Sequence, residues 1–144
     1  MTAALAIQAI ASGMMCGIIW FVQVIHYPLF AMVPPADSAS HARENLRRTR
    51  PVVLVPMILE AVSAAWIAFF APPGISRLAA VAGLALLAAI WISTAFVQMP
   101  LHGRLARGEG GLETVDRLVA TNRVRTLLWT LRALLSAWML LAVG

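Results

Sequence analysis

The sequence predicts an all-α protein, a bundle of four transmembrane helices. Three observations carry the prediction. The 144-residue chain is 61% hydrophobic and 12% charged, with a mean hydropathy of +0.85, too apolar to clothe a soluble domain of this size. Four apolar runs each supply the ~20 helical residues that cross a ~30 Å hydrocarbon core. Most charged residues fall between or at the edges of those runs, and all eleven basic residues are arginine.

The runs are placed near 4–33, 51–71, 77–100 and 119–142. No basic segment precedes the first and no small-residue cleavage site follows it, so it reads as a retained helix and not as a signal peptide. Its inner end, FVQVIHYPLF at 21–30, holds Gln23, His26 and Pro28, and Pro28 is expected to kink it. The connection 34–50 opens with PPADSAS and closes with RENLRRTR; Asp37, Ser38 and Ser40 suit the N-cap of a short amphipathic helix there. The second run contains Pro56 and Glu60. APPGISR, 71–77, is a tight turn stopped by two prolines and a glycine. The third run carries Thr94 and Gln98 and ends at Pro100. LHGRLARGEGGLE, 101–113, reads as a polar glycine-rich loop. In the fourth run Asn122, Arg125, Trp129 and Arg132 step by three, four and three, one stripe down one helical face.

Arginine placement predicts orientation. Arg43, Arg47, Arg48 and Arg50 occupy the first connection. Arg104 and Arg107 occupy the third, with Arg117, Arg123 and Arg125 beyond it, whereas the middle turn holds only Arg77. The positive-inside rule then puts the first and third connections in the cytoplasm and both termini outside, as expected of a multi-pass protein of a bacterial inner membrane. The same clustering explains the formal charge of +5 without a nucleic-acid partner. The single Cys16 leaves no intramolecular disulfide and no CxxC pair.

The chain is expected to be a single membrane domain, 1–144, made of two similar hairpins, 1–72 and 73–144. LEAVSAAW at 59–66 and LRALLSAW at 131–138 match at four of eight positions, including the tryptophan. At the same offset of 72, without gaps, Pro28-Leu29 falls on Pro100-Leu101, Leu46 on Leu118 and Thr49 on Thr121. A duplicated hairpin would set a pseudo-two-fold axis along the membrane normal. His26 would then correspond to Gln98, Glu60 to Arg132 and Phe30 to His102.

Counted from the ends of the apolar runs at 1.5 Å per residue, His26, Glu60, Thr94 and Arg132 all lie roughly 10–13 Å inside the cytoplasmic edge. A charge on a lipid-facing helix centre costs about 2.5–3.5 kcal/mol on the lenient insertion scale. These groups are therefore expected to face one polar pocket in the cytoplasmic half, with Glu60 and Arg132 paired. The pocket would comprise His26, Glu60, Thr94, Gln98, His102, Asn122, Arg125, Trp129 and Arg132.

Several chemistries suit those residue types. His26, Glu60 and His102 offer two imidazoles and a carboxylate to a divalent zinc or iron ion, with His41 near enough in sequence to fold back. Met57 and Met99 would be needed for copper. His26 and His102 could ligate haem, although their estimated depths differ by roughly 10 Å. A pocket of this kind also suits a small lipophilic or amphipathic ligand. In a catalytic version His26 is the general acid or base, Glu60 orients its ring and Arg132 stabilises an anion, while Thr94, Gln98, Asn122, Arg125 and Trp129 bind the ligand. The opposing reading is a structural or accessory subunit. There the Glu-Arg-His network only specifies helix packing, and Tyr27 and Trp129 are interfacial anchors. The bilayer is the one partner the composition demands; a transport pathway would need a homo-oligomer.

FVQVIHYPLF, PMILEA, FVQMPLHGRLARG and TNRVRTLLWTLRALL together resemble a group of small uncharacterised bacterial four-helix integral membrane proteins. The resemblance covers nearly the whole chain. It implies the four spans and carries no activity, cofactor or catalytic residue.

Overall fold

The computed structural model describes residues 2–143. It is all-helical, with four helices that are long and apolar enough to cross a membrane: α1 Thr2–Met32, α2 Pro35–Phe69, α3 Arg77–Ala106 and α4 Gly111–Leu141. At 30 to 35 residues each they run about 45–52 Å, well beyond a ~30 Å hydrocarbon core.

The expected helices were right in number, and the last three run further toward the arginine-rich end than their apolar runs. The connection 34–50 is not a loop with its own short helix. Val33 and Pro34 are extended, each ahead of a proline, because the ring of the following residue disfavours the helical region. Pro35 then opens α2 at its first position, where the missing N–H is harmless. Asp37 lies inside the first turn, so Asp37, Ser38 and Ser40 are not N-caps. From Pro35 the helix continues unbroken through Pro51 and Pro56. The expected polar loop 101–113 is also mostly helix. Residues 107–110 alone connect α3 to α4, with Gly110 at φ +79° where a side chain would meet Thr114. Arg43 on α2 donates to the Ala106 carbonyl at 2.9 Å, satisfying an orphan acceptor at the end of α3. In the connection itself Arg107 binds both oxygens of Glu109 and holds that carboxyl below its ordinary pKa.

The turn at 70–76 is as expected. Gly74 adopts φ +93°, a backbone state that L side chains rarely enter, and the Ser76 hydroxyl caps α3 by accepting from Ala79 N–H.

Two helices change pitch locally. Val22–His26 in α1 and Thr94–Gln98 in α3 are π-helical turns, in which Tyr27 N–H reaches the Val22 carbonyl and Met99 N–H reaches the Thr94 carbonyl. Each stands just ahead of a proline, Pro28 and Pro100. Proline cannot bond the carbonyl four residues back and its ring crowds that oxygen, so the preceding turn widens. The expected kink of α1 thus takes the form of an inserted residue. Pro51 and Pro56 produce no such turn.

The helices close in the order α1, α2, α3, α4, each packed on its two neighbours; α1 faces α3, and α2 faces α4, across the centre. Three apolar layers fill the interior. Leu5, Ile67, Ile75, Ala80 and Met139 lie at the end holding the termini and the 70–76 turn. Met15, Met57, Ile90 and Trp129 lie in the middle. Phe30, Ala42, Leu105 and Leu118 lie at the arginine-rich end.

Candidate functional site

The predicted pocket residues are buried, except His26 and Thr94, which are half-buried, and they form two centres instead of one. The first is Glu60 with Arg132. Arg132 Nε donates to Glu60 Oε1 at 2.5 Å, and the side chains are 1% and 0% exposed. The pair crosses the bundle from α2 to α4. On α3, Gly83 makes room for it, since a Cβ there would run into the Arg132 guanidinium. Glu60 Oε2 and Arg132 Nη1 and Nη2 have no hydrogen-bond partner among the described residues.

This pair is not in the arginine-rich half. Glu60 stands nine residues from the end of α2 at Phe69 and 25 from its start at Pro35, so it lies about 13 Å from the 70–76 turn. The expected depth was measured from Pro51 on the assumption that 34–50 lay outside the helix. Because α1 and α2 instead fold back across two residues, the α2 partner of His26 is Asn45, about 22 Å along the axis from Glu60.

The second centre lies at the arginine-rich end. His26 Nε2 donates to Asn45 Oδ1 at 2.7 Å, and Thr49 Oγ1 donates to the same oxygen at 3.0 Å. Tyr27 and His102 hydrogen-bond across the bundle, hydroxyl to Nε2, at 2.8 Å. Gln98 Nε2 donates to Thr121 Oγ1 at 2.9 Å. Arg125 Nη1 donates to Asn122 Oδ1 at 2.9 Å, and Asn122 Nδ2 donates in turn to Gln23 Oε1 at 3.0 Å. A cavity of about 100 Å³ lies among them, lined in part by His26, Tyr27, Thr94, Gln98, His102 and Arg125. Met15 and Ile19 also line it. With Met57 and Trp129 they belong to the apolar layer between the two centres.

Of the nine predicted pocket residues, the structure therefore gathers His26, Thr94, Gln98, His102 and Arg125 around one cavity. Asn122 is joined to it through Arg125. Glu60 and Arg132 belong to the deeper pair, and Trp129, fully buried, is not among the lining residues. Glu60 does not orient the His26 ring; Asn45 does, and Arg132 stands at the other centre. The proposed ligands His26, Glu60 and His102 do not converge. Among the described residues no group of three or more His, Cys, Asp or Glu side chains is arranged to hold a metal ion. His41 is exposed and packs on the ring of Phe30. His26 and His102 line the same cavity, contrary to their estimated depths, but its volume has no room for a haem macrocycle. Tyr27 and Trp129 are interior residues and not interfacial anchors.

Asn45, Thr49 and Tyr27 were missed as site residues. For Thr49 the signal was present. Ala42, Leu46, Thr49, Val53, Met57, Glu60, Ala64 and Ile67 form one stripe spaced by three and four, a helical face that runs straight through Pro51.

A second cavity adjoins the first. A groove of about 460 Å³ opens between α1 and α2, lined by Gly17, Ile18, Phe21, Val52 and Arg48 among others. Ile18, Val22, His26, Thr49 and Val53 line both spaces.

Compared with known proteins, the chain matches no family model, and neither a curated protein nor a solved structure matches it significantly.

Proposed function

We propose that the protein binds a small amphipathic molecule drawn from the bilayer, with its tail in the α1–α2 groove and its head at the polar cavity. One observation carries this reading: the apolar groove meets the hydrogen-bonding cavity at His26 and Thr49. The groove volume falls in the roughly 300–1,000 Å³ range of small-molecule sites. A cavity behind it supplies imidazole, amide and guanidinium groups where a lipid-facing wall would supply none. The placement suits an amphiphile. On α2 the arginines end at Arg50 and the apolar run begins beyond it, so the boundary between water and hydrocarbon falls beside the cavity.

The site is best placed in a bacterial inner membrane with the arginine-rich end in the cytoplasm and the termini outside, as the arginine distribution supports. We also infer that the two hairpins are duplicates. The two π-helical turns and their prolines recur at the offset of 72, and Glu60 and Arg132, 72 residues apart, meet across the centre as counterparts near a two-fold axis would.

The deep ion pair supports the structural reading for itself alone: it is sealed by packing and ties α2 to α4. The ligand reading is tested with an alkyl diazirine amphiphile photolysed on protein in nanodiscs. Labelling is expected to concentrate on 17–22 and 52–53 and to be lost in Gly17→Phe. Because a Cβ at Gly17 meets nothing, that ring enters the groove without crowding the core. Labelling spread evenly over lipid-facing residues such as Phe96 and Leu127, indifferent to Gly17→Phe, would refute the reading.

A further inference from the structure

Two arginines are buried in this protein, and they are not equivalent. Arg132 has the carboxylate of Glu60. Arg125 is 7% exposed, and among the described residues no carboxylate lies within ion-pair distance of it. Its guanidinium donates from Nη1 to the neutral Asn122 amide and lies beside the neutral Tyr27 hydroxyl, and its Nε has no partner among the described residues. A guanidinium cannot shed its proton to escape this situation. Removing it from water without a counter-charge is among the costliest arrangements a protein can hold. Hydrogen bonds to water would satisfy the N–H groups and leave the charge uncompensated.

The neighbours of Arg125 are also incomplete. His102 Nδ1 and Gln98 Oε1, both buried, have no hydrogen-bond partner among the described residues, and both residues line the same space as Arg125. The Gln98 amide is oriented by Thr121, whose hydroxyl donates to the Arg117 carbonyl and so accepts from Gln98 Nε2. Its free Oε1 therefore turns to a donor, a water or a hydroxyl. Cation, imidazole and acceptor stand around one cavity of about 100 Å³.

We infer that this cavity receives an anionic head group, and that the ligand is a single-chain amphiphile whose carboxylate or phosphate oxygens pair with Arg125. This inference rests on the groove reading and adds the sign of the head group to it. The sizes agree with one chain and a compact head. The groove accommodates a tail, while the inner space holds a few heavy atoms and excludes a bulky zwitterionic head.

Binding is measured on the full-length protein in a non-ionic detergent, with a C16 carboxylate, the C16 alcohol, a C16 phosphate monoester and inorganic phosphate alone as probes. The wild-type protein is expected to bind the carboxylate or the phosphate monoester at least tenfold tighter than the alcohol. That preference should disappear in Arg125→Gln, with alcohol binding retained, and survive in part in Arg125→Lys. Equal binding of acid and alcohol by the wild-type protein overturns the anionic assignment and leaves the groove reading standing; this arm needs no variant and no assumption about folding. Inorganic phosphate binding as tightly as its C16 ester would make the ligand a soluble anion and overturn the amphiphile. If Gly17→Phe leaves C16 carboxylate affinity unchanged, the groove reading itself fails.

Discussion

Glu60 and Arg132 make one direct bond in a place where neither has access to water. Breaking such a pair from one side strands a charge, so Glu60→Gln is expected to destabilise the protein by about 3–5 kcal/mol. Replacing both partners by apolar residues of similar volume, Glu60→Leu with Arg132→Met, should recover most of that loss. Reversible unfolding in mixed micelles measures both. Gly83→Ala provides an independent probe of the same contact. Its methyl group would displace the Arg132 guanidinium, and a loss of about 1–3 kcal/mol is expected for overpacking. Gly13→Ala, where nothing lies near, should lose nothing. The residue types made this pair predictable, because two opposite charges in apolar helices have few other solutions. Nothing in the residue types told Arg125, which lacks a carboxylate, apart from Arg132, which has one.

At the scale of helices, the decisive features are the two widened turns. An added residue per turn rotates everything beyond it by about 100° relative to an unbroken α-helix. In this way His26 reaches Asn45 while Tyr27 still faces His102. Pro28→Ala restores an N–H to the Val24 carbonyl and removes the cause of the wide turn. The expected outcome is a protein at least as stable as the wild type that has lost amphiphile binding, read by thermal unfolding alongside the photolabelling assay. Pro28 and Pro100 were visible in the sequence as breaks. Whether a proline widens the turn, as these do, or is absorbed, as Pro51 and Pro56 are, depends on what the neighbouring helices allow.

For the whole molecule, sidedness is the open arrangement that arginines and geometry address together. In a Cys16→Ala background, an impermeant maleimide applied to intact cells should label Ser76→Cys, whereas Ser40→Cys should react only after permeabilisation. The reverse pattern would invert the orientation. The bundle also has an asymmetry along its axis. The deep pair lies toward the end with the 70–76 turn, and the cavity lies at the arginine-rich end, beside Arg48 and Arg50. Stability and ligand binding are therefore expected to separate: substitutions at Glu60 and Arg132 should affect the first, and those at His26, Gln98 and Arg125 mainly the second.

The amino-acid sequence by itself determined the four helices long and apolar enough to cross a membrane, the helical faces that turn inward and the concentration of arginine at one end. Hydrophobicity, the 3.6-residue repeat and charge are local quantities that a chain carries wherever it goes. Only the tertiary structure decided which polar groups share a level. That depends on where the chain turns back, and the prolines at 34 and 35 start α2 some 16 residues before its apolar run. A helix announces the direction of its side chains through its own pattern, but its height against a neighbour is set by the connection between them and by packing across the interface. For that reason the faces of His26, Glu60 and Arg125 were legible, and the division of one expected pocket into an ion pair and a cavity was not.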